Sequence, residues 1–427
     1  MRITLPSAID QHAARLRGGS QALKQILAYL GPGFFVTVGF IDPGNWATNV
    51  AAGSFYGYKL LWVVVLGTLI LILWQHMAAH LGVVTGKCLA ESIRDNMRKA
   101  PSAVYGVTAM AAISATALAE LLGAAIGLYI LFRIPIVVGM AVAAILSALA
   151  VWFRRYSHLE KIIVALVSAV GVAYLVELYL VRPDWAAAAY HMVVPELDSG
   201  SVLIAIGVLG AVVMPHNMYL HSEVVQNRQW QGKSDEETKR LLRYEFVDTL
   251  LAMLVGMAIN IAMVLVAAAV FHREGLQIDD LVEASNTLRP LAGNLASLIF
   301  GLGLLLAGIA SSVTAALSGG IAFTGFIGQP TTIENKYFKI GVLLTLLPAF
   351  LMILLVSDTF KVLIVSQACL SIQLPLTMLP LFLLTSSRKV MGKYANGKVE
   401  NALMVITGLI ILALNALLIF TLFGGDF

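Results

Sequence analysis

Apolar stretches long enough to cross a lipid bilayer recur along almost the whole chain, and this limits its fold more than any other feature. Eleven runs stand out, at roughly 28–52, 60–82, 104–132, 134–153, 161–181, 200–224, 246–271, 291–322, 338–357, 361–386 and 402–423. A hydrocarbon core of ~30 Å takes about 20 helical residues, whereas a barrel strand needs only about 10. Run length therefore selects membrane-spanning helices over a barrel. Composition agrees: 59% of the 427 residues are hydrophobic, 12% are charged and the mean hydropathy is +0.86. An ordinary soluble globular fold is excluded.

Orientation follows from the basic residues, which accumulate on the cytoplasmic side of membrane proteins. With the N-terminus inside, 22 of the 28 Lys and Arg residues fall in inner segments. The outer side keeps only Lys59, Arg133, Arg182, Arg273, Arg289 and Lys361. An odd number of spans then places the C-terminus outside. The net charge of +4 is thus a topology signal, and a nucleic-acid partner has no support. Residues 1–27 carry charges but no apolar signal-peptide core, so they read as a cytoplasmic tail and the first span is retained. The two cysteines, Cys88 and Cys369, provide neither a disulfide framework nor a thiolate metal site.

No connection is long enough to fold as a soluble domain. The 225–245 segment suits a short amphipathic helix on the inner surface, and 272–290 suits an outer gate or cap. Asp248 and Glu177 fall near span ends and read as interfacial or structural. More telling is the correspondence between spans one and six. "DPGN" (42–45) interrupts the first and "MPHN" (214–217) the second, and each span opens a block of five. Because five is odd, the second block enters the membrane from the opposite face, which is the inverted-repeat plan of many secondary transporters. The expected divisions are a first repeat over 28–182, an external loop over 183–199, a second repeat over 200–386, and an additional span at 402–423.

Pro43, Gly44 and Pro215 break their helices at mid-membrane. A proline removes one backbone hydrogen bond and frees a carbonyl that lipid cannot satisfy. Asp42 at that depth costs at least ~2.5–3.5 kcal/mol and so belongs in the protein interior, with a partner or an ion. Asp42 and Asn45 can converge on one ion if the chain unwinds between them. The freed Ala211 carbonyl and the Met214 thioether can do the same from the second break. Hard Mg²⁺ and Ca²⁺ prefer all-oxygen shells, whereas softer transition ions such as Mn²⁺ and Fe²⁺ gain from a thioether. The donor set does not rank Mn²⁺ against Fe²⁺, Co²⁺ or Cd²⁺.

With these motifs the chain resembles the Nramp family of divalent metal transporters, which have the LeuT-type architecture. The resemblance runs from "GPGFFVTVGFIDPGNWATN" through "HLGVVTGKCLAE", "GAVVMPHNMYLHS" and "LSGGIAFTGFIGQP" to "SQACLSIQLPLTMLP". It implies an all-α polytopic protein with a 5+5 inverted repeat plus one further helix, eleven spans in all, with spans one and six discontinuous. It also implies metal binding by Asp42, Asn45, the Ala211 carbonyl and Met214, with Gln367 joining in outward-closed states. Import into the cytoplasm by alternating access is expected, with His216 near the proton route.

Two departures bear on that route. Family members usually carry "ATDLAE" in span three, whereas this chain reads "ATALAE", keeping Glu120 but placing Ala117 at the proton-accepting aspartate. Gly341 and Val342 stand where the family usually has an arginine pair. Metal binding is untouched by these changes, but the usual proton path is in question. His216 and His221 titrate in a range that suits proton carriers, His216 being the better placed, and Glu120 is an alternative acceptor. Each of these three also suits a structural hydrogen bond.

The leading expectation is a divalent metal importer, proton-coupled or passive. A Mg²⁺-transporting relative is disfavoured by Met214. A LeuT-fold organic-solute carrier is disfavoured by Asp42, which would repel a substrate carboxylate. No enzymatic chemistry, resident cofactor or obligate protein partner is implied. Metal ions and the lipid bilayer are the partners, and the short termini and loops suit a bacterial inner membrane.

Overall fold

The computed structural model describes residues 42–153, 178–179, 181–228, 234–287, 289–356 and 358–426, with side chains of 286–297 excepted. Most of the expected fifth span and the first part of the first span lie outside these residues. The described residues are helical, without strands: α1 Pro43–Tyr56, α2 Leu61–Thr85, α3 Leu89–Asn96, α4 Lys99–Phe132, α5 Ile136–Trp152, α6 Trp185–Val193, α7 Val202–Val213, α8 Pro215–Val224, α9 Asp235–Val270, α10 Leu281–Thr287, α11 Arg289–Ile327, α12 Lys336–Ile353, α13 Thr359–Thr385, α14 Arg388–Met391 and α15 Lys398–Leu422.

Eight segments among the described residues are long and apolar enough to cross a membrane, counting α7 and α8 as one broken span; α5 is apolar but shorter. They pack as two sets. In one, α4 runs along α11, with α5 and α12 completing a slab; in the other, α1, α2, α7, α8 and α9 pack together. The α13 helix touches both sets and lies beside α7.

Hydrophobic burial distinguishes helices poorly inside lipid, so close contact of small residues and interhelical hydrogen bonds do more of the joining. A Cβ on Gly308 would lie 2.5 Å from the Ala124 amide nitrogen and 2.7 Å from the Glu120 carbonyl, so α4 and α11 meet backbone to backbone. Ser147 and Ser312 hydroxyls, 2.6 Å apart, join α5 to α11. In the second set the Asn49 amide donates to Asn260, tying α1 to α9. The outlying α15 is held by Trp74 Nε1 donating to Thr407 (3.0 Å) and by Asn415, whose amide donates to the Ser371 carbonyl (2.8 Å).

The expected short amphipathic helix within 225–245 is not a separate element. A 3-10 turn covers Val225–Arg228, and the acidic stretch from Asp235 is continuous with the seventh span as α9. Ser234 caps this helix in a box with Glu237, and Asp235, Glu236 and Glu237 occupy its first turn, where negative charge is favoured. Hydropathy marks only the apolar part of such a helix. Asp248 therefore lies well inside α9 and is buried.

Between α2 and α3 the chain turns at a charged corner. Lys87 Nζ lies 2.7 Å from Asp95, Arg94 pairs with the same carboxylate at 2.7 Å, and Arg94 also donates to the Gly325 carbonyl of α11 (2.7 Å). Partial burial raises the Asp95 pKa, but hydrogen bonds from Lys87 and Arg94 outweigh this and hold it below the ordinary carboxylate range.

Candidate metal centre

The two breaks share one local frame. Asp42 caps α1, its Oδ1 accepting from the Asn45 amide at 2.6 Å, and Pro43 occupies the first helical position. Met214 precedes α8 in the same way, followed by Pro215, and its carbonyl accepts from the Asn217 amide at 3.1 Å. Proline suits that position because the first helical N–H has no intrahelical acceptor and φ is already helical. Each second half therefore starts cap–Pro–x–Asn. Met214 adopts φ 48°, ψ 81°, a left-handed conformation rare for a non-glycine residue, and this separates α7 from α8.

Pro215 has no N–H for the carbonyl four residues earlier, which is that of Ala211. That oxygen accepts instead from Asn45 Nδ2 at 3.1 Å, and the same nitrogen lies 3.2 Å from Asp42 Oδ2. Asp42, Asn45 and Ala211 are therefore brought together across 166 positions of sequence, Met214 follows Ala211 by three residues, and all four are buried. The Met214 sulfur accepts from Asn217 Nδ2 at 3.2 Å. Two amide oxygens, Asn45 Oδ1 and Asn217 Oδ1, are buried without a hydrogen-bond partner. A buried orphan acceptor is costly, and each break carries one at the same register.

Gln367 of α13 closes the locus from the side. A Cβ on Gly44 would overlap its amide group, and one on Gly210 would overlap its carbonyl oxygen. Glycine is required at both places by that close approach. Gly123 of α4 similarly admits the Pro43 ring.

Of the expected proton groups, His216 faces α4, its Nδ1 3.2 Å from the Thr116 hydroxyl. Glu120, one turn further along α4 and 1% exposed, has Oε2 without a hydrogen-bond partner. Ala117 between them is buried, and Gly341 and Val342 are packed into the α11–α12 seam. His221 lies away from the break, at the far end of α8, with Nδ1 3.1 Å from Gln75 Oε1 of α2. Cys88, Glu91 and Glu223 place ligand atoms within 4.8 Å of one another, but Cys88 and Glu91 form the α3 cap, and Glu223 accepts from Thr331 and Gln226.

The sequence reading missed Asn217, although its register in "MPHN" matches that of Asn45 in "DPGN". It also missed Thr116, whose partner is 100 positions away, a pairing that no local pattern reveals.

The sequence profile described as natural resistance-associated macrophage protein-like matches residues 33–421. A divalent metal cation transporter MntH of Caldanaerobacter subterraneus subsp. tengcongensis is 39% identical over 407 residues, 95% of each chain. The crystal structure of the Eremococcus coleocola manganese transporter superposes with a TM-score of 0.77 at 27% identity, over 94% of this chain and 87% of that one. Mhp1, a nucleobase-cation-symport-1 family transporter, shares the fold alone, with a TM-score of 0.61 at 16% identity and 92% of both chains covered. The chain belongs to the Nramp family, a family of multi-pass membrane transporters rather than enzymes.

Proposed function

We propose that this protein is a secondary transporter that imports divalent transition-metal ions of the Mn²⁺ and Fe²⁺ type by alternating access. The carrying observation is that the Asp42 carboxylate and the Ala211 carbonyl meet on one Asn45 amide at two proline breaks, with the buried Met214 thioether three residues beyond Ala211. The Asn45 amide group, carrying partial positive charge, bridges the first two. A cation entering there would displace it, and a turn of the Asn45 amide would offer Oδ1 in its place. Asn217 can make the same turn beside Met214. The names of the MntH relatives and of the manganese transporter support this assignment. The basic-residue bias supports a cytoplasmic N-terminus and an external C-terminus, and the bacterial relatives support an inner membrane.

A second reading, uncoupled passage down the metal gradient, is favoured by the buried apolar Ala117, Gly341 and Val342. Uptake into proteoliposomes with Mn²⁺, Ca²⁺ and Mg²⁺ in competition tests the cargo, and an internal pH dye tests the coupling. Mn²⁺ should enter in preference to Ca²⁺, and Asp42→Ala should abolish Mn²⁺ binding. Retained binding in that variant would sink the metal reading. Influx without acidification would favour the uncoupled carrier.

A further inference from the structure

A second cluster of ionisable groups is buried between α2, α8 and α9, apart from the breaks. His76 of α2 places Nδ1 2.5 Å from Glu245 Oε2 of α9. The other oxygen of that carboxylate accepts from the Thr249 hydroxyl at 2.8 Å and lies 3.9 Å from His221 Nε2 of α8. That nitrogen has no hydrogen-bond partner, and His221 Nδ1 is held by Gln75. His80 stacks on His76 with ring centroids 6.0 Å apart, and both its ring nitrogens are unpartnered. The side chains of His221 and Glu245 are 0% and 1% exposed, whereas that of His76 is 18% exposed. The groups therefore run from a closed interior to an accessible edge.

Ionisable side chains are expensive to bury, and chains of Asp, Glu and His in membrane proteins mark proton relays. A purely structural tie between α2 and α9 would need one pair. It would not need a third group aimed at the same carboxylate from α8, the helix that continues from the break, nor a fourth stacked on the first.

We propose that His221, Glu245 and His76 form a proton relay from the broken span to the edge of the bundle, in place of the route that Ala117 leaves without its carboxylate. This rests on the transporter reading above. A proton on His221 Nε2 passes to Glu245 Oε1, a short approach bringing the two into hydrogen-bond reach. The carboxyl then gives a proton from Oε2 to His76 Nδ1, and His76 releases one from its other ring nitrogen. After one proton has crossed, each group has its original charge and proton count, while the Glu245 carboxyl and the His76 ring hold their proton on the opposite atom and must turn before the next one passes. The charged and titratable groups facing the relay are His80 on α2 and Glu400 at the start of α15. Asp248, one turn beyond Glu245, is buried and already engaged.

The test uses the full chain in proteoliposomes, with Mn²⁺ uptake and internal acidification recorded together. In His76→Gln and in Glu245→Gln the acidification per Mn²⁺ ion should fall by about tenfold or more, as expected when one proton-transferring side chain is removed. The pH dependence of uptake should flatten in both. A purely structural role predicts uptake and acidification falling in proportion, with their ratio unchanged, and that result in His76→Gln would overturn the relay even if Glu245→Gln fails to fold. Wild-type Mn²⁺ uptake without acidification would overturn the relay and leave the metal reading standing. Absence of Mn²⁺ uptake by the wild type would overturn both.

Discussion

Met214 combines two costs that packing alone does not repay. Its left-handed backbone costs of order 1–3 kcal/mol, and such strain collects at functional sites. Its sulfur is fully buried, and although the residue belongs to the hydrophobic core it accepts a hydrogen bond from Asn217 Nδ2. If that sulfur selects softer ions, Met214→Ala should narrow the preference for Mn²⁺ over Ca²⁺ by about tenfold, equivalent to ~1.4 kcal/mol. Competition uptake measures this directly, and an unchanged ratio would refute the thioether argument. Asn217→Ala should weaken Mn²⁺ binding by less than Asp42→Ala does, because it removes a neutral donor, and titration calorimetry on the purified protein would rank the two. Most of this locus is legible in the sequence. A proline frees the carbonyl four residues back, so Pro215 identifies Ala211, and a mid-membrane carboxylate identifies itself. Asn217 was legible in principle, through the shared register of the two breaks. The pairing of His76 with Glu245 was not, since it joins residues 169 positions apart on helices whose facing sides no periodicity specifies.

At the level of elements, the seam between α4 and α11 is built on absent side chains. Gly308→Val would drive a branched side chain into the α4 backbone. It should destabilise the protein by roughly 1–3 kcal/mol, as overpacking does elsewhere. A lower thermal midpoint in detergent, with Mn²⁺ selectivity retained by the folded fraction, is the expected outcome. The corner at Asp95 responds to acid. Because its folded pKa is depressed, its contribution is fully present above the ordinary carboxylate range of about 4 and is lost as pH falls through the folded value. Asp95→Asn should remove this part of the acid sensitivity in a pH series of unfolding curves, at a cost below about 1 kcal/mol near neutrality because the pair is partly exposed. Element ends were harder to read than elements. The apolar run beginning near residue 246 hid the start of α9, because a capped acidic first turn extends a helix into water without any hydropathic mark.

For the whole molecule, the slab of α4, α5, α11 and α12 and the second set around α1, α2 and α7–α9 meet at the breaks, with α13 wedged between them. The five-and-five plan could be read from two short motifs because each break needs a proline, and proline is visible in sequence whatever surrounds it. Which helices share a set could not be read, since nearly every face is apolar and lipid and protein demand similar residues. An ordinary helix start is a cradle for anions, its free N–H groups pointing outward from the positive end of the dipole. Here both starts facing the centre carry proline in first position, and one is also covered by a carboxylate. The opposing end, that of α7, brings the Ala211 carbonyl, which Pro215 releases from the helix and Asn45 Nδ2 takes up. The gap is thus electrically one-sided, so chloride or sulfate would meet carbonyl and carboxylate oxygen where a helix start normally offers hydrogen. The centre sorts ions by sign before it sorts them by size or softness.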